Sequence, residues 1–238
     1  MIPAVQVFTS GPKGNALVGA CHFSLRRGCI SSSFVYDQGY LTSAGAYAID
    51  PSLPLRNAAG FCEGLPGALR DSAPDRWGRH LIDRRAVFEA DANGSALRTR
   101  DEIDYLLGVY DASRQGALRF RIPGSDGYLS PNESVPPLVD LKRLLSASNQ
   151  ISLGSIENNQ VKELLDAGSG SLGGARPKAS ITDGGRLLLA KFSHPGDEWD
   201  VMAWEKTSLD VARAVGLAVP VARLLRIGSD SVLLLGKR

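Results

Sequence analysis

Long hydrophobic runs are missing from this sequence, and so is an excess of charge of either sign. No stretch approaches the roughly 20 apolar residues that a membrane-spanning helix needs. The N-terminus, Met1-Ile-Pro-Ala-Val-Gln-Val-Phe-Thr9, has no cationic segment ahead of an apolar one. The 27 basic and 25 acidic side chains leave a net charge of +2, so no basic field marks nucleic acid as a direct ligand. No block of like charge marks an interaction tail. Cysteine is scarce. Cys21, Cys29 and Cys62 are odd in number and lack metal-type spacing, which predicts reduced thiols rather than a disulfide framework. These absences together predict a cytoplasmic protein with no membrane partner.

What is present is the composition of an ordinary globular chain, 43% hydrophobic and 22% charged. Its 238 residues suffice for two modest domains. Val5–Phe8, Ala16–Phe23 and Ser33–Tyr36 read as strands, with turn chemistry at Gly11-Pro12 and Arg27-Gly28. A helix follows with Trp77, Leu81 and Ile82 on an apolar stripe, capped by Ser72 or Asp75. Another starts near Arg100 with acidic residues in its first turn, where the helix dipole favours them. Gly116–Arg121 is a short strand. The glycine- and proline-rich stretch after Ile122, continuing through Pro131–Pro137, reads as a linker and divides the chain into residues 1–125 and 126–238.

In the second half, helices are expected from Val139 to about Ser148 and again up to Ala167-Gly168. Strands at 177–182 and 186–192 flank Asp183-Gly-Gly, a hairpin signal. A helix from Asp200 to Val215 and a second hairpin around Gly228-Ser-Asp complete it. The expected fold class is α+β, a small β-rich part with helices followed by an antiparallel sheet with one main helix.

The chemistry-bearing features fall in this half. Gly173-Gly174-Ala175 is a run of small residues before a strand, where backbone N–H groups can approach a phosphate without obstruction by a Cβ. It matches neither G-x-x-x-x-G-K-[ST] nor G-x-G-x-x-G. Lys191 ends the apolar run Leu187-Leu-Leu-Ala, which reads as a strand buried on both faces. A lysine there is either solvated at the strand's end or paired, because burying an unpaired ammonium is costly. On the following helix, positions 201, 205, 208 and 212 share one face, which directs Glu205 inward as that partner; the alternative is a surface glutamate beside Lys206 and Asp210. A glycine-rich loop, a strand lysine and a helix glutamate, in that order, form the phosphate grip of kinase-like folds.

Longer motifs carry a family resemblance. Gly170-Ser-Leu-Gly-Gly-Ala-Arg-Pro-Lys-Ala-Ser180, Leu189-Ala-Lys-Phe192, Trp199-Asp-Val-Met-Ala-Trp-Glu205 and Gly216-Leu-Ala-Val-Pro220 resemble HipA-type toxin kinases. So do Leu65-Pro-Gly-Ala-Leu-Arg-Asp-Ser-Ala-Pro-Asp-Arg-Trp-Gly-Arg79, Asp104-Tyr-Leu-Leu-Gly-Val109 and Arg114-Gln-Gly-Ala-Leu-Arg-Phe120. The resemblance implies an N-terminal subdomain and a kinase N-lobe of a serine/threonine protein kinase from a toxin–antitoxin pair. It implies that Gly173, Gly174, Ala175, Lys178 and Lys191 bind ATP, that Glu205 holds Lys191, and that Ser171 is an autophosphorylation site whose phosphate disfavours an incoming triphosphate. It further implies a translation component such as an aminoacyl-tRNA synthetase as substrate. A helix-turn-helix antitoxin would be the partner, and nucleic acid would be met only through it.

One departure qualifies that reading. The family's H-x-x-D-x-H-x-K-N catalytic loop and later magnesium-binding aspartate do not occur here. His80-Leu-Ile-Asp83 spells H-x-x-D but falls within the Trp77 helix. The chain alone is therefore expected to be inactive, with no catalytic base or metal ligand of its own. Magnesium would enter only with a C-terminal kinase lobe supplied in cis or in trans. The competing expectation is a non-catalytic binding protein that docks on a separate kinase lobe or on the antitoxin.

Overall fold

A computed structural model describes residues 4–11, 14–109, 111, 114, 116–125, 127–129, 140–154, 158–167, 169 and 174–236. The chain forms two compact units that interleave in sequence: residues 1–74 with 99–131, and 75–98 with 132–238. The division expected at 125/126 leaves the helix of Trp77 with the first unit, whereas its contacts place it with the second. Most of the expected linker, residues 131–139, lies outside the described residues.

The first unit is built on β1 (Val5–Gly11), β2 (Gly14–Arg26), β3 (Cys29–Tyr36), β4 (Gly60–Glu63) and β5 (Leu118–Arg121). They form an antiparallel sheet in the order β4-β3-β2-β1-β5. Arg27 and Gly28 join β2 to β3 with φ of 50° and 80°. Two positive φ values in a two-residue loop match the right-handed twist of the flanking strands and keep Arg26 opposite Cys29. Alternate residues, among them Val5, Val7, Cys21, Phe34 and Phe120, point into one core. Helices α1 (Gln38–Leu41), α2 (Gly67–Asp71) and α4 (Glu102–Leu107) add Tyr40, Leu69, Ile103 and Leu106 to it. Asp101 and Asp104 form a capping box at the start of α4, which satisfies amides left free by the helix geometry.

A buried ion pair ties these pieces together. The Arg114 side chain is 0% exposed and donates to Asp111 Oδ1 at 2.8 Å, Ser72 O at 2.8 Å, Leu106 O at 3.0 Å and Val109 O at 3.3 Å. Asp111 Oδ1 also accepts from Phe120 N at 3.3 Å. The Arg114 guanidinium stacks 4.6 Å from the Phe120 ring centroid. This gives the Arg114–Phe120 stretch a structural reason, because one cation serves the ends of α2 and α4 and the entry to β5.

The second unit holds β6 (Lys178–Asp183), β7 (Arg186–Phe192), β8 (Ala222–Ile227) and β9 (Asp230–Gly236), antiparallel in the order β6-β7-β9-β8. Helix α7 (Val201–Ala214) packs on this sheet, with Met202 buried beside Leu233 and Leu235. Helix α6 (Asn158–Asp166) packs against both α3 (Arg76–Asn93) and α5 (Leu141–Ser152), and α5 lies against β6. Buried Leu141, Leu144, Leu145, Ser148 and Ile151 form the inward stripe of α5 at helical spacing.

Two expectations change. The strand buried on both faces is β6, whose Lys178, Ala179, Ser180 and Ile181 are all buried, because α5 covers the side that the sheet alone leaves open. By contrast β7 is mostly half-buried. The inward face of α7 is only partly the expected one: Val201 packs against the core and Glu205 pairs inward. Met202 and Leu209 face the core and Ser208 faces solvent. Trp204, Val211 and Val215 are 64%, 59% and 70% exposed, so α7 shows an open apolar side. Among the described residues no helix is long and apolar enough to cross a membrane.

Candidate functional site: a glycine loop beside a lysine–glutamate pair

The site forms where β6 and β7 run side by side. Their antiparallel register puts Lys178 directly opposite Lys191. Lys191 Nζ meets Glu205 Oε1 of α7 at 2.5 Å, with side chains 26% and 31% exposed. Of the two readings of Glu205, the paired one is therefore observed. The pairing follows from topology, since the end of β7 and the second turn of α7 meet across one sheet face. Asp200 sets that turn by capping α7, accepting from Ala203 N at 2.9 Å, and it also accepts from Ser231 Oγ and Arg226.

Lys178 is the deeper lysine, 5% exposed. Burial pushes its pKa down, and so does the Lys191 ammonium opposite; Asp75 and Glu205 act in the other direction. Two cations set side by side, one of them held away from water, make a place that favours an anion. Gly174 lies beside them with φ of 94°, and a Cβ built on it would sit 2.7 Å from Lys178 Nζ. The positive φ favours glycine there, and the lysine end lies close enough that a Cβ would have to displace it. Ala175 lies next to it and is exposed. Gly173 and Ser171, both expected at the site, lie outside the described residues.

The strand is anchored just before Lys178. Arg176 donates to Asp197 Oδ2 at 2.7 Å, and His194 N donates to the same oxygen at 2.9 Å. The Arg176 hydrogen bond is the largest cause holding the Asp197 carboxyl below its ordinary pKa. Sequence reading missed the residues that hold the loop itself. Trp77 Nε1 donates to Ser169 Oγ at 2.9 Å, Ser169 in turn donates to the Lys178 carbonyl, and Gly174 N donates to Asp75 Oδ2 at 2.5 Å. The local sequence suggests only an apolar stripe for Trp77 and a helix cap for Asp75. Their partners lie 92 and 99 residues away, and only their place in the Leu65–Arg79 motif hints at more. His80 and Asp83 lie in α3 as expected. Burial and then Arg84 push the His80 pKa down.

This architecture has counterparts among known proteins. Residues 14–106 match the family model of the HipA N-terminal domain. The fold matches that of HipA of Shewanella oneidensis MR-1, solved in a complex of that toxin–antitoxin system's HipA, HipB and operator DNA. The TM-score is 0.52, over 98% of this chain and 50% of that one. At 12% identity this likeness is one of fold alone. No curated protein matches. The chain thus carries a segment that matches the HipA N-terminal domain and shares the fold of that HipA, of whose length it spans about half.

Proposed function

We propose that the chain is the N-terminal part of a HipA-like serine/threonine protein kinase toxin, and that its second unit grips ATP. The observation that carries this reading is the Lys191–Glu205 pair, set opposite Lys178 and beside the positive-φ Gly174. In such a grip Lys191 meets phosphate oxygens and Glu205 orients it. Gly173, Gly174, Ala175 and Lys178 line the phosphates. Ser171 is the autophosphorylation site in this reading, by its place in the motif. The substrate is a translation component such as an aminoacyl-tRNA synthetase.

Magnesium belongs to the same proposal but not to these residues. Among the described residues no group of three or more His, Cys, Asp or Glu is placed to hold a metal, and Glu205 and Asp75 near the grip are both engaged. Base and metal ligands come from a C-terminal kinase lobe, in cis or in trans. The exposed apolar side of α7 supports a docked neighbour. The HipA of similar fold was solved with HipB and operator DNA, which supports an antitoxin partner that brings the DNA contact.

Calorimetric titration with ATP tests the grip. The chain is expected to bind ATP weakly and to transfer no phosphate by itself. Lys191→Met removes a charge-assisted contact worth about 1.5–3 kcal/mol, hence roughly 10- to 100-fold in affinity. Equal affinity of wild type and K191M would refute the grip in favour of a non-catalytic docking protein. Phosphate transfer by the chain alone would overturn the claim that it is inactive.

A further inference from the structure

Ser169 and Gly174 are each held by the first turn of α3, and the two holds differ in kind. At one end Trp77 Nε1 donates to Ser169 Oγ, with Trp77 5% and Ser169 0% exposed. Ser169 passes the link on to the Lys178 carbonyl. This arm is buried. At the other end the Gly174 carbonyl accepts from Trp77 N at 3.4 Å and the Gly174 amide donates to Asp75 Oδ2, with Gly174 and Asp75 both exposed.

Asp75 occupies the N-cap position of α3, yet its side chain makes no capping bond. Its carboxylate is turned instead toward the loop. There it accepts from the Gly174 amide and acts on the Lys178 ammonium, which lies against Gly174. An amide of the glycine loop and a buried lysine are the two donors that a phosphate of a nucleotide would use. A carboxylate oxygen and a phosphate oxygen cannot both take that amide, and like charges so close repel.

We propose that Asp75 is an internal anion that occupies the phosphate position of the glycine-rich loop and must leave it before a nucleotide phosphate binds. The inference rests on the ATP-grip reading and adds a control to it. The exposed arm is the one able to yield, because a solvated ionic contact is weak and screened. The buried Trp77–Ser169 arm, with its link to the Lys178 carbonyl, stays in place while Asp75 moves.

Calorimetric titration with ATP at fixed ionic strength, on wild type, Asp75→Ala, Asp75→Asn and Lys191→Met, tests it. The side chain at position 75 makes no cap bond that these variants would lose, and D75N keeps an acceptor oxygen while removing the charge. D75A is expected to bind ATP about 3- to 10-fold more tightly than wild type, with D75N between them. Added salt should narrow the gap. If K191M loses affinity while D75A binds equally or more weakly than wild type, Asp75 is a brace, and the inference fails while the grip stands. If neither wild type nor D75A binds ATP, the grip reading fails and takes the inference with it. Folding is checked independently by the near-UV circular dichroism of the buried Trp77.

Discussion

Replacing Arg114 with methionine should be the most damaging single change in the first unit. Arg114 is fully buried and donates to four acceptors, three of them main-chain carbonyls at the ends of α2 and α4. Methionine fills much of the volume but leaves Asp111, whose side chain is 3% exposed, without its closest cation. Arg119 remains, but only at 3.9 Å. Breaking a buried pair by removing one partner costs about 3–5 kcal/mol, a large part of the roughly 5–15 kcal/mol by which a domain is stable. Urea unfolding of wild type and R114M, followed by far-UV circular dichroism, measures this. The double variant Arg114→Met/Asp111→Leu should recover much of the loss, since no charge is then left unpaired. The pH dependence adds a second check. Burial pushes the Asp111 pKa up and Arg114 holds it back, so removing Arg114 lets it rise further. A carboxyl whose folded pKa lies above its unfolded one contributes stability present below the unfolded pKa and lost as pH rises through the folded one. The R114M deficit should therefore shrink as pH falls from neutral toward about 4. A deficit below about 1 kcal/mol, or one that the double variant does not relieve, would refute the reasoning.

Two further outcomes follow from the titratable groups. Asp197, depressed chiefly by its bond from Arg176, should stabilise the second unit above the ordinary carboxylate range and lose that contribution as pH falls through its lower folded pKa. Asp197→Asn should thus cost about 1 kcal/mol in urea unfolding at pH 7 and progressively less as pH falls below the ordinary carboxylate range, with the partial exposure of Arg176 keeping the effect small. Burial, then the nearby Cys62, pushes the Cys21 thiol up to about 12, whereas Cys29 is exposed. Iodoacetamide at about pH 8 should label Cys29 and leave Cys21 unmodified in the folded protein, as peptide mass mapping would show; labelling of Cys21 at the rate of Cys29 would contradict its burial.

Local chemistry was legible wherever one short segment contained its own reason. Arg27-Gly28 and Asp183-Gly-Gly name their hairpins because the loops need positive φ, and those hairpins then align the flanking strands. The Lys191–Glu205 pair was legible for a similar reason, since a strand lysine and a glutamate one turn into the next helix have few other places to meet. The rest of the inward face of α7 was not. Met202 and Leu209 face the sheet while Trp204 and Val211 do not, and nothing in the apolar pattern of that helix ranks a tryptophan below a methionine. What covers an apolar face is decided by the neighbour that arrives.

The sequence by itself determined the α+β class and the hairpins and narrowed Glu205 to two readings, because each rests on residues close along the chain. Only the tertiary structure decided that Lys178 is the deeper lysine, since its burial depends on a sheet face and a glycine that meet it only in the folded chain. It alone brought Asp75 and Trp77 to the loop, from a helix that contact assigns to the second unit. The physical reason is distance along the chain. A hydrogen bond spanning 99 residues leaves no periodicity, spacing or turn signal, and exists only once packing has brought its two ends together.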